Sequence, residues 1–68
     1  MNERFLVFNA TDGIYASPKN FTKAAGEKFI RQFRQRYAGI GYYATADGRR
    51  IAPQDILLEL KPYDPENS

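Results

Sequence analysis

Apolar residues along this chain follow two different rhythms. Between Phe21 and Tyr37, Ala25, Phe29, Ile30, Phe33 and Tyr37 recur at intervals of three and four, with Lys23, Glu27, Lys28, Arg31, Gln32, Arg34 and Gln35 between them. That spacing predicts an amphipathic helix, one face apolar and the other charged. Asn20 or Thr22 is placed to cap its start, because a short side-chain oxygen there accepts a bond from a first-turn amide, and Gly39 is placed to stop it. A helix of this length is a rod of roughly 24 Å, enough to cross three or four strands. Glu27 and Arg31 form a favourable i, i+4 pair on its polar side. Gly26 is the weak point, costing about 1 kcal/mol against alanine unless a strand needs the space.

Everything else reads as strand and turn. Phe5-Leu6-Val7-Phe8 is a continuous apolar run and predicts a strand buried on both faces. Thr11-Asp12-Gly13 turns the chain, since glycine tolerates the positive φ of a tight hairpin, and Ile14-Tyr15-Ala16 returns it. Ser17-Pro18-Lys19-Asn20 then breaks the sheet and leads into the helix. Beyond Gly39, Ile40 to Thr45 predicts a third strand, with Ala46-Asp47-Gly48 turning into Arg49-Arg50-Ile51 as a second hairpin. The last segment is ambiguous. Pro53 can open a short helix, yet Ile56, Leu58, Leu60 and Pro62 alternate with Leu57, Glu59, Lys61 and Tyr63, which is the period of a strand. Residues 64–68, apolar-free and containing Pro65, are expected to form a disordered acidic tail.

The expectation is therefore an α+β fold in ββαβββ order. One domain spans residues 1–63, with an antiparallel or mixed sheet and one amphipathic helix packed on one face. A single helix covers only one side of such a sheet, yet the first strand carries Phe5 and Val7 on one side and Leu6 and Phe8 on the other. Leu6, Phe8, one of Tyr42 and Tyr43 (Tyr43 by preference) and Leu57 are the candidate interaction surface, an apolar patch larger than monomers usually show to water. Covering it with a second copy, as a homodimer, or with another protein would account for these residues.

Composition narrows the chemistry. The chain has 68 residues, a net charge of +2 and neither cysteine nor histidine. That removes disulfides, the usual zinc ligands and imidazole or thiol catalysis. A domain this small buries only about 60% of the surface of its unfolded chain, so good packing or self-association must supply its stability. Asp12 and Asp47 sit in Asp-Gly turns that already explain them, Asp55 suits a local cap, and no Gly-rich phosphate loop is present. The chain is thus expected to be no enzyme, with no cofactor and no small-molecule ligand. No apolar run is long enough for a membrane span, Met1 to Glu3 is too polar to begin a signal peptide, and the lack of cysteine fits a cytoplasmic protein.

Charge adds a rival reading. Between Gly13 and Pro53 there are eight basic residues and two acidic ones, a local net charge of +6. Lys28, Arg31 and Arg34 on the helix, with Arg49 and Arg50 at the hairpin tip, are candidate phosphate contacts, and Tyr15, Tyr42 and Tyr43 are candidates to stack on bases. A solvated helix face and a charged hairpin explain the same residues without nucleic acid, and cross-strand packing explains the tyrosines.

The chain also resembles a group of small bacterial proteins of cyanobacterial type. The resemblance is carried by Phe29-Ile30, Gly41-Tyr42-Tyr43, Thr45, Gly48, Ile51-Ala52-Pro53, Asp55-Ile56 and Leu58-Glu59. It implies one self-contained unit from about Phe5 to Tyr63 with an extended final segment. It brings no activity, cofactor or site with it.

Overall fold

The computed structural model describes residues 3–63, so the expected tail at 64–68 lies outside the described residues. The order is β1 (Phe5–Asn9), β2 (Ile14–Tyr15), α1 (Lys23–Ile40), β3 (Tyr43–Ala44), β4 (Arg50–Ile51), a 3₁₀ turn (Pro53–Asp55) and β5 (Leu58–Pro62). This is the α+β arrangement in ββαβββ order. β1 is the central strand of a three-stranded antiparallel sheet ordered β2-β1-β5, and β3 and β4 form a separate two-stranded ladder. The last segment resolves into both alternatives: Pro53 opens one 3₁₀ turn, and the alternating residues then run as strand.

The helix begins at the expected place and ends later. Thr22 caps it through Oγ1, which accepts the Ala25 N–H at 3.3 Å. Gly39 stays helical, and the stop falls at Gly41, whose φ of 103° lets its N–H reach the Tyr37 carbonyl at 2.8 Å. Ile40 is consequently the last helical residue and the third strand shrinks to Tyr43–Ala44. The left-handed conformation, natural to glycine, decides the end, and the sequence offers two glycines for it.

Close approach explains Gly26. A Cβ there would stand 2.5 Å from Leu60 Cδ2, so β5 occupies the space a side chain would need. Leu60 pairs with Val7 in the β1–β5 register. The helix therefore covers the sheet face that carries Val7 and Leu60. Val7 and Ile56 are completely buried beneath it. Leu6 and Phe8, on the opposite face, are only partly buried, so β1 is closed on one side and half-open on the other. Phe21 extends the other edge of β1 through reciprocal main-chain bonds with Phe5, 2.7 and 2.8 Å long, and stacks on Phe29.

Candidate interaction face

The register places the exposed face. Phe8 lies opposite Tyr15 on β2 and opposite Glu59 on β5, and Leu6 lies opposite Lys61. Directly opposed residues of an antiparallel pair share a face, so Leu6, Phe8, Tyr15, Glu59 and Lys61 all lie on the side away from α1. Phe8 is the centre of the group. The Tyr15 ring meets it edge-on at 5.1 Å between centroids, and Lys61 Nζ sits 4.9 Å over its ring from the other side. Lys61 also lies 3.8 Å from the Glu59 carboxylate. Leu57, which is 62% exposed, continues the alternation of Glu59 and Lys61 toward the turn. Its backbone is fixed, because its N–H donates to Thr11 Oγ1 and its carbonyl accepts from Ala10, both at 2.8 Å.

Of the expected surface residues, Leu6, Phe8 and Leu57 share this face and Tyr43 does not. Tyr43 is 6% exposed and packs on the helix side, against Tyr37 at 4.8 Å and Phe33 at 6.1 Å. Its hydroxyl donates to Asp12 Oδ2 and accepts from Asn9 Nδ2 at 2.9 Å. Asn9 is buried, and its Oδ1 accepts the Asp12 N–H at 3.2 Å, while Asp12 Oδ1 accepts the Ala46 N–H at 2.9 Å. This network joins the turns of the two hairpins. Burial, and then the Asp12 carboxylate, push the Tyr43 hydroxyl above the ordinary tyrosine pKa. Tyr42 is the outward member of the pair and lies under the Arg50 guanidinium at 4.8 Å. Tyr15, Glu59 and Lys61 join the surface without having been singled out for it; the alternation of the last strand already held that signal for Glu59 and Lys61.

The basic residues are dispersed among different tasks. Arg34 donates to the Ile56 carbonyl at 2.7 Å and so ties α1 to the segment before β5. Arg49 is held by Asp47 at 3.0 Å, and Arg50 by Tyr42. Lys28 and Arg31 are exposed on the helix. At the second turn the Thr45 hydroxyl donates to Asp47, which, more than Arg49, holds the Asp47 carboxyl below the ordinary aspartate value.

Ala16, Phe29, Gln32, Phe33 and Arg36 line a cleft of about 240 Å³, smaller than the roughly 300–1,000 Å³ typical of small-molecule sites. No set of three or more acidic residues is gathered for a metal among the described residues, and none of their helices is long and apolar enough to cross a membrane. In comparisons with known proteins, no family model, curated protein or solved structure matches the chain.

Proposed function

We propose that this chain is a non-catalytic association module, working in the cytoplasm, whose open sheet face docks a second protein surface, its own or another's. The observation behind the proposal is the one-sided cover of the sheet: α1 buries the Val7 face and leaves Leu6, Phe8, Tyr15 and Leu57 on the other. Rings and aliphatic groups framed by Glu59 and Lys61 are the composition of an interface centre with a polar rim. The cytoplasmic setting rests on the cysteine-free sequence. Nucleic-acid binding is the alternative. Its support is reduced to Lys28 and Arg31, because Arg34, Arg49 and Arg50 have intramolecular partners.

Sedimentation of the wild type and of Tyr15→Lys, with pull-down of partners, tests the reading. Tyr15 is 53% exposed, so the variant should stay folded while losing partner capture, or assembly, through the open face. A wild-type protein that is monomeric at high micromolar concentration and captures nothing would remove the proposal. Retention on nucleic acid that weakens steeply with salt would favour the alternative.

A further inference from the structure

Strand β5 is one of the two outer strands of the three-stranded sheet, and the hydrogen-bond parity of its inner side is fixed. Ala10 N–H donates to the Leu57 carbonyl and Tyr63 N–H to the Arg4 carbonyl, each at 2.8 Å. Bonded and non-bonded pairs alternate along an antiparallel ladder. With Phe8 opposite Glu59 and Leu6 opposite Lys61, Glu59 and Lys61 therefore turn their main-chain groups toward β1. Leu58, Leu60 and Pro62 turn theirs outward. Among the described residues no backbone acceptor meets the Leu58 and Leu60 amides on that outer side. Pro62 stands where its missing N–H would have pointed outward, so the ladder with β1 loses nothing to it.

We infer that this edge pairs with β5 of a second copy, antiparallel about a two-fold axis at Leu60, joining two three-stranded sheets into one continuous sheet. The sequence of the edge selects this register. Centred on Leu60, each Glu59 lies opposite Lys61 of the second copy, so both opposed charge pairs attract. Centred on Glu59 or on Lys61, the axis would place like charges directly against each other, which is destabilising. The Leu60 centre also satisfies the outward groups. Leu60 exchanges N–H and carbonyl with its own copy, and each Leu58 N–H meets the opposing Pro62 carbonyl. Only the Leu58 carbonyl, facing a proline nitrogen, is left to water. A symmetric, self-complementary contact is the ordinary form of a homodimer interface. Main-chain addition to a free edge is an established way for a small sheet to recruit a strand.

The inference is independent of what covers the open face, and charge exchange separates the two. Lys61→Glu sets Glu59 against a glutamate in both pairs, and Glu59→Lys sets Lys61 against a lysine. Each variant is expected to dimerise roughly tenfold or more weakly than the wild type in sedimentation equilibrium. A mixture of the two variants should recover dimer, as should the double exchange Glu59→Lys/Lys61→Glu, which also shows that the fold survives these charges. Tyr15→Lys, on the far strand, should leave the edge dimer unchanged. In the wild type, hydrogen exchange at the Leu58 and Leu60 amides should slow as protein concentration rises. A monomeric wild type, or single variants that associate as the wild type does, would overturn the inference. Loss of association in Tyr15→Lys alone would assign it to the open face instead.

Discussion

A Cβ built on Gly26 would stand 2.5 Å from Leu60 Cδ2, so α1 and β5 meet through a helix position that carries no side chain. An alanine at 26 gains about 1 kcal/mol of helix propensity but costs about 1–3 kcal/mol in overpacking. Gly26→Ala is expected to lower stability by about 1 kcal/mol net. In a Leu60→Ala background the same change should become stabilising, because the methyl group it meets is gone. Urea denaturation of the wild type, both single variants and the double variant, at low protein concentration, checks the sign reversal.

Tyr43 makes alkaline stability a specific readout. Burial, and then the accepting Asp12 carboxylate, raise its pKa above 10.0 in the folded state. Its contribution is complete below the unfolded value and is lost as pH rises through the folded one. Wild-type stability should therefore fall more steeply than that of Tyr43→Phe above about pH 10. At neutral pH, Tyr43→Phe should cost about 1–3 kcal/mol, since Asn9 and Asp12 each lose a buried partner. Denaturant midpoints across that pH range, with the absorbance titration of the tyrosines, test both statements.

Asp47 is expected to titrate on the acid side. The Thr45 hydroxyl, and after it Arg49, hold its carboxyl below 3.8. The stabilisation it provides is present above the ordinary aspartate range and disappears as pH falls through the lowered value. Thr45→Ala should bring the Asp47 midpoint back toward the ordinary value, and Arg49→Gln should do so by less. Carboxyl chemical shifts followed through an acid titration show the order.

Arg34 distinguishes a structural cation from solvated ones. Its bond to the Ile56 carbonyl predicts that Arg34→Ala lowers stability by roughly 1–3 kcal/mol, as loss of a charged donor to a part-buried acceptor does. Lys28→Ala and Arg31→Ala should stay within about 0.5 kcal/mol of wild type. Thermal melts of the three variants suffice. Equal effects at all three positions would contradict the assignment.

Residue pattern was enough for the elements because their causes are local. The helix face of Phe29, Ile30 and Phe33, the Asp-Gly turns and the alternation of Leu58, Leu60 and Pro62 each depend on neighbours a few residues away. Ambiguity remained where two local options were equal. Gly39 and Gly41 both suit a helix end, and only the geometry of the bond to Tyr37 chose between them. Tyr42 and Tyr43 are likewise adjacent residues of one type, and which turns inward depends on Asn9 and Asp12, more than thirty positions away in sequence.

The open face was legible in part, since β1 has apolar residues on both sides and one helix can cover only one of them. Its actual membership was not. Tyr43 left it because the β3–β4 hairpin packs at the turn end of β1 on the helix side, while Tyr15, Glu59 and Lys61 entered it through the strand register. The sequence by itself determined the element types, their order and the existence of an uncovered side, because periodicity and turn chemistry are properties of short stretches of chain. Tertiary structure alone decided which residues share that side, why Gly26 has no side chain and which amides of β5 face outward. Those are set by register and approach distance between segments far apart in the chain, and no local pattern encodes them.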